Sequence, residues 1–404
     1  MLIFLANIDN IEKIHYLVYQ MSRVTIKLSL STRLAQAGNR KDPITGSISV
    51  PIYQTASFGH PGLGQSTGFD YSRTSNPTRL VLEEILADAD GGVKGFAFAS
   101  GLAAIDAVLH LFRSGDRFIV TEDPYGGTFR LFEQVFRPLG LDAIYVDTSS
   151  LKAVQEALRF PGIKGIFIET PTNPLLKIAD IRTIASWARA QDILTIVDNT
   201  FLTPVLQKPL ELGADIAVYS ATKFLSGHND VVAGAVVVRT SELAERIGFY
   251  QNAIGSILGP QDSWLVIRGL KTLPLRLLKQ QDNALQIAIW LSSHPHVKLV
   301  RYPGLPHHPG REILERESLG FGSMISFEID AASRVADILS GLKVFLFAES
   351  LGGVESLITY PSVQTHADVD TETRNRLGIN DRLLRLSVGI EDVNDLIHDL
   401  ENVL

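Results

Sequence analysis

Lys223 stands in YSATKFLSGHND (residues 219–230), between two hydroxyl residues and a Gly-His turn. A lone lysine is ordinarily a solvated surface residue whose stem packs while its ammonium stays in water. The surroundings here argue for more. Just upstream, ADIAVYS (214–220) reads as a short buried strand of the parallel-sheet kind. Ligands bind at the carboxyl ends of such strands, so Lys223 is expected at a strand mouth, partly desolvated. Desolvation lowers a lysine pKa from about 10.4, and the neutral amine can attack a carbonyl to form a Schiff base.

Asp198, in ILTIVDNTF, closes another buried strand. Alone it reads equally well as a cap or turn aspartate. With Lys223 nearby in the pattern it suits pyridoxal phosphate, which needs a lysine for its aldehyde and a carboxylate against its protonated ring nitrogen. A phosphate cradle is available in FAFASGLAAIDAVLHLF, where Ser100-Gly101 precedes a helix expected from Leu102. The plainer reading is a helix cap. Ser220 and Thr222 add hydroxyl donors, or merely cap their own turn. Tyr125, in the loop TEDPYGGT, offers an aromatic face for a flat ring, or is a turn tyrosine without a role. Arg385 alternates with leucines in LLRLSVGIE, a costly place for a charge without a partner. An amino-acid carboxylate would suit it, as would a salt bridge within its own domain. His294, His296, His307 and His308 lie in Pro-rich loops and read as surface residues, so no metal site is expected.

These residues need a scaffold. The 404-residue chain is 45% hydrophobic, enough for a large core and two domains. Its net charge of −7 and its lack of basic runs argue against nucleic acid. It has no cysteine, which excludes disulfides, a thiolate nucleophile and Cys-bound zinc, and suits a reducing cytoplasm. The opening MLIFLANIDNIEKIHYLVYQ has too short an apolar run for a signal or a membrane span. It reads as a short helix or tail, or as sequence upstream of a true start at Met21. Residues 1–70 then form a tail and an extended arm, with SISVPIYQTASF as its one strand-like piece. Within 71–270, helical patterns alternate with FAFAS, DRFIV, DAIYVD, GIFIET, ILTIVDNT, DIAVYS and AVVVR, which predicts a mostly parallel sheet. A helical stretch from Pro260 to about Ser293, interrupted at Pro274, leads into a smaller α+β domain over 271–404. No G-x-G-x-x-G follows the early strands, which disfavours a nucleotide-binding module without catalysis.

The motifs YSRTSNPTR, ASGLAA, DPYGGT, ETPTNPLL, VDNTF, YSATKFLSGH, ESLGGVESL and LLRLSVGIE occur in one order along the chain. Together they resemble the Cys/Met-metabolism enzymes that use pyridoxal phosphate: cystathionine γ-lyases, γ-synthases and β-lyases, O-acetylhomoserine sulfhydrylases and methionine γ-lyases. The resemblance runs from about Ser29 to Leu404. It implies an aspartate-aminotransferase-like α/β fold (the type I fold of pyridoxal-phosphate enzymes) and a homotetramer made of two catalytic dimers. Lys223 matches the lysine that holds the cofactor and shuttles protons, and Asp198 the partner of the ring nitrogen. Tyr125 matches the tyrosine that stacks on the ring and acts as base toward the incoming amine. Gly101, Leu102, Ser220 and Thr222 match the phosphate cradle. Asn173, Ser350 and Arg385 match the group that orients the substrate carboxylate and the cofactor ring oxygen, while Tyr71 and Arg73 match residues that reach the phosphate in the neighbouring subunit. Glu349 resembles enzymes that handle cystathionine or cysteine, and Leu351-Gly352-Gly353 resembles the γ-acting members. The resemblance therefore implies a cystathionine γ-lyase with accompanying β-lyase activity, and as the alternative a γ-synthase or sulfhydrylase acting on an O-acylated homoserine.

Overall fold

The computed structural model describes residues 28–39, 42, 44–365, 367 and 371–404. The expectations for the first twenty residues and for a start at Met21 lie outside them.

All seven apolar runs of the sequence form strands of one sheet: β1 (Lys94–Phe98), β2 (Arg117–Thr121), β3 (Asp142–Val146), β4 (Ile163–Glu169), β5 (Leu194–Asp198), β6 (Ile216–Tyr219) and β7 (Gly234–Val238). Their order is β1-β7-β6-β5-β4-β2-β3. β7 runs antiparallel to both neighbours, and the remaining pairings are parallel. Helices cover the sheet, so its central strands are buried on both sides and read as continuous apolar runs without polar alternation. The helix Ile181–Arg189 shows how the cover is built. It buries Ile181, Ile184, Ala185 and Ala188 along one stripe, and Asp180 caps its first turn by accepting from the N–H of Thr183. The stripe packs into a cluster with Ile166, Ile168 and Val197 of β4 and β5, so Ile184→Ala would cost about 2–5 kcal/mol. Because β2, β4, β5 and β6 are parallel, their carboxyl ends open at one end of the sheet.

A second sheet follows in the order β10 (Leu346–Phe347), β11 (Leu357–Thr359), β12 (Leu383–Ser387), β9 (Met324–Ile329) and β8 (Val297–Arg301). It is antiparallel apart from β10 against β11. The helices Leu273–Ser293 and Val393–Glu401 bury Ile287, Leu291, Leu396 and Leu400 in the core beneath it. The helical stretch is interrupted where expected: one helix spans Pro260–Leu270, and Pro274 lies in the first turn of the next, where its missing N–H costs nothing. No helix of the described residues is long and apolar enough to cross a membrane.

One expectation fails. SISVPIYQTASF forms no strand and contributes only a single bridge, Ser57 to Tyr71. Its backbone groups are taken instead by side chains at the start of the helix Pro77–Asp90. The N–H of Tyr53 donates to Thr78 Oγ1, that hydroxyl donates to the carbonyl of Pro51, and Asn76 Nδ2 donates to the carbonyl of Tyr53, all at 2.9 Å. With these groups satisfied, and with Pro51 lacking a donor, the arm has no ladder to join.

Candidate active site

The parallel strands end around a cavity of about 410 Å³, within the size range of small-molecule sites. Asp198 is the last residue of β5 and Ser220 follows β6 directly. Lys223 stands half-buried three residues further on, and its Nζ donates to Ser350 Oγ at 2.8 Å. Burial, and then repulsion from Arg385, push the Lys223 ammonium down to about 8, with Glu349 pulling the other way. An appreciable fraction is therefore a neutral amine near neutrality, able to attack a carbonyl. Asp198 accepts two hydrogen bonds at Oδ1, from the N–H of Thr200 at 3.0 Å and its hydroxyl at 2.5 Å. Burial raises its pKa and these two donors oppose the rise.

At the far end of the cavity, Ser100 caps the helix Gly101–Leu109, which begins one residue earlier than the sequence suggested. A Cβ on Gly101 would come within 2.9 Å of Ser220 Cβ, so glycine keeps this end of the cavity open. The Thr222 hydroxyl faces the Ala233 backbone, donating to its carbonyl at 3.1 Å and accepting its N–H at 2.9 Å. Tyr125 follows the β2 loop and precedes the helix Gly126–Arg130, and its ring lies close over Gly127, where a Cβ would approach Cε1 to 2.5 Å. Burial pushes its phenol up, toward the protonated form.

Arg385, on β12, closes the cavity from the second sheet. It is 1% exposed, and its hydrogen-bond partners are neutral oxygens: Asn173 Oδ1 at 2.7 Å, the carbonyl of Ser350 at 2.9 Å and Thr359 Oγ1 at 3.0 Å. Its Nε is buried without a partner. A salt bridge within its own domain is thus not what holds it. A buried guanidinium bonded only to neutral groups is a ready receptor for a carboxylate. Ser350 has φ 99°, unusual for a non-glycine residue, which turns its side chain to Lys223 while its carbonyl meets Arg385. Glu349 is exposed at the rim.

The structure brings Lys223, Asp198, Tyr125, Asn173, Glu349, Ser350, Arg385, Gly101, Leu102, Ser220 and Thr222 to this one cavity. It leaves Tyr71 and Arg73 outside. Tyr71 is 46% exposed, and Arg73 lies over its ring at 5.5 Å and donates to Asn252 Oδ1 at 3.3 Å. Their loop is held from below by the buried Arg79, which donates to the carbonyls of Ser72 at 2.7 Å and Arg73 at 3.2 Å. The histidine loops do not contribute, and among the described residues no group of three or more His, Asp or Glu side chains is placed to hold a metal ion.

Two residues escaped the sequence reading. Glu169 ends β4 opposite Asp198 in register, and its carboxylate accepts from the N–H groups of Tyr125 at 2.8 Å and Asn173 at 2.9 Å. It thereby ties two site loops to one strand end. Burial and the neighbouring Asp198 push its pKa well up. The signal was present, since an acid closing a buried strand is what had marked Asp198. Thr200 is the other, and nothing in the sequence pattern singled it out.

The chain is similar to known proteins over most of its length. The chain is 52% identical over 376 residues to a cystathionine β-lyase of Lactococcus lactis subsp. cremoris, covering 93% of this chain and 99% of that protein. It is 51% identical over 373 residues to a cystathionine γ-lyase of Bacillus subtilis, covering 92% and 98%. The solved structure of cystathionine γ-lyase from Lactobacillus plantarum complexed with L-serine superposes with a TM-score of 0.90 at 48% identity, over 93% of this chain and 98% of that one. The family model for Cys/Met metabolism PLP-dependent enzymes matches residues 31–404. With a lysine, an aspartate and a glycine-opened helix start converging at the strand ends, the chain belongs to the Cys/Met metabolism family of pyridoxal-phosphate-dependent enzymes.

Proposed function

We propose that this enzyme cleaves the C–S bond of L-cystathionine, chiefly by γ-elimination to L-cysteine, 2-oxobutanoate and ammonia, with β-elimination as a lesser activity. The observation that carries the reading is the pairing, in one cavity, of a partly neutral Lys223 with an Arg385 whose hydrogen-bond partners are neutral. One group takes a carbonyl and the other a carboxylate.

Pyridoxal phosphate, when bound, supplies a carbonyl for an amino group and a protonated ring that draws electrons from the α-carbon. The residues fit it. Lys223 Nζ would hold the carbonyl carbon, Asp198 would serve the ring nitrogen and Tyr125 would offer its ring for stacking. The start of the helix Gly101–Leu109, with Leu102 and Ser220, would take the phosphate, and Thr222, whose N–H and hydroxyl both donate to the carbonyl of Ala233, would join it only by turning its hydroxyl away. Arg385 binds the substrate α-carboxylate, and Asn173 and Ser350 set its orientation. Freed when the substrate's amino group takes the carbonyl in its place, Lys223 Nζ would take the α-proton of a substrate held by this clamp and would serve the β-carbon in turn. Tyr125, lining the cavity, would serve as base toward the incoming amine and then hand a proton to the departing sulfur. Glu349, at the rim, meets the distal ammonium of cystathionine. A second reading, γ-replacement on an O-acylated homoserine, uses the same residues and differs in the leaving group. It is supported by the 48% identity to a Bacillus subtilis protein named cystathionine γ-synthase/O-acetylhomoserine (thiol)-lyase.

Tyr71 and Arg73, exposed and outside their own chain's cavity, reach the cofactor phosphate of a second copy in this reading. The assembly is a dimer of such dimers in the cytoplasm, each chain divided near residues 70 and 270. Complementation tests the sharing. Lys223→Ala and Arg73→Ala should each be nearly inactive. Unfolded, mixed and refolded together, random pairing makes half the dimers mixed with one intact site each, so about a quarter of wild-type sites return. A mixture no more active than its parents, with wild type refolding normally, would place both residues at the same chain's site.

A further inference from the structure

Among the described residues, the Asp198 carboxylate is hydrogen-bonded at Oδ1 only. Both Thr200 donors reach Oδ1, the hydroxyl at 2.5 Å and the N–H at 3.0 Å, and the same hydroxyl accepts the N–H of Ser220 at 2.9 Å. This fixes the hydroxyl rotor. An amide N–H can only donate, so the single hydroxyl hydrogen points at the carboxylate. β5 and β6 are parallel neighbours, with Asp198 in register with Val218. One side chain therefore ties the acid that ends β5 to the residue that follows β6.

We propose that Thr200 is a positioning residue for Asp198: its hydroxyl occupies Oδ1, locks the carboxylate plane and leaves Oδ2 directed to the cofactor's ring nitrogen. The inference rests on the assignment of Asp198 made above. The need for such a device follows from the surroundings. Asp198 is half-buried and lies across from Glu169, a fully buried acid. Both conditions favour a protonated carboxyl, which could not balance a positive ring. Hydrogen bonds to an ionised acceptor oppose that, and the Thr200 hydroxyl supplies the shorter of the two at this oxygen. Its second bond, to Ser220, keeps it from rotating toward water.

The test is the dissociation constant of pyridoxal 5′-phosphate for the apoenzyme, by equilibrium dialysis, in wild type and four variants. Asp198→Ala should bind roughly a hundredfold more weakly. Thr200→Val keeps the shape and loses the hydroxyl, and should weaken binding roughly tenfold, as a lost hydrogen bond to a charged group implies. Thr200→Ser, which keeps the hydroxyl, should stay within about twofold of wild type. In the double variant Asp198→Ala/Thr200→Val, the second change should add less than about threefold, because the hydroxyl acts through a carboxylate already removed. Circular dichroism checks folding, and if Thr200→Val does not fold, Thr200→Ala is compared with Thr200→Ser in its place. Undiminished binding by the hydroxyl-free variant, or a full tenfold loss surviving in the double variant, would overturn the proposal while leaving Asp198 in its role. Normal binding by Asp198→Ala would remove Asp198 itself from the ring nitrogen and the proposal with it.

Discussion

The floor of the cavity and its wall are made differently. The floor comes from the ends of β5 and β6, where Asp198, Ser220 and Lys223 follow strands buried on both sides. The wall comes from the second sheet, through Arg385 on β12 and the Glu349–Ser350 loop. Floor residues are held by hydrogen bonds that cross between neighbouring strand ends, as Thr200 does. The wall depends on a buried charge with neutral partners and on a serine at positive φ. On the roles proposed above, the floor carries the bond-making chemistry and the wall chooses the amino acid.

Changes to the wall break the comparison most severely at Arg385. Arg385→Ala should lower kcat/KM for cystathionine by roughly a hundred- to a thousandfold, the scale of losing a desolvated charge pair, while binding of pyridoxal phosphate to the apoenzyme changes little. Steady-state kinetics beside a cofactor titration separates the two, and an equal loss in both would mean that floor and wall are one unit. Glu349→Ala is milder. It should reduce kcat/KM for cystathionine about tenfold more than for an amino acid with an apolar tail, since only the former presents a second ammonium. Equal losses on both substrates would deny Glu349 that part.

The smallest effect sharpens the view of the floor. In the apoprotein, Lys223 has its pKa lowered from 10.5 to about 8. Below about 8 both folded and unfolded chains hold the proton, and burying the ammonium costs the folded state, by up to roughly 3 kcal/mol. Between 8 and 10.5 the unfolded chain alone holds it, so stability rises with pH, and above that range the cost is gone. Apo Lys223→Met should therefore melt on the order of a few degrees higher than wild type at pH 7, and the gap should shrink as pH rises from 8 toward 10.5. A gap independent of pH would show that the lysine is not destabilised by burial.

The floor was the more legible part in the sequence. Buried parallel strands are continuous apolar runs, and a polar residue that ends one stands out, as Asp198 and Ser220 did. Glu169 carries the same mark and was passed over because the pattern does not say that its carboxylate serves backbone N–H groups of two loops. Thr200 lies within the motif VDNTF, but nothing there marks its hydroxyl as a partner of Asp198, since a threonine after Asp-Asn is ordinary in a turn. In the wall, Arg385 was visible as a charge among leucines, but its neutral partners come from residues 26 to 212 positions away, beyond any local pattern. β10 and β11, of two and three residues, are too short to show a period, and the arm SISVPIYQTASF was misread because its backbone is satisfied by Asn76 and Thr78 more than twenty residues later.

The division between floor and wall leads to one reaction, and its products name it. Purified holoenzyme incubated with L-cystathionine should release 2-oxobutanoate and cysteine as the main products, with pyruvate and homocysteine in the minority, read by chromatography of the keto acids and thiols. Release of neither keto acid from cystathionine, while O-acetylhomoserine and cysteine are joined to make it, would contradict the account and leave γ-replacement as the activity of this site.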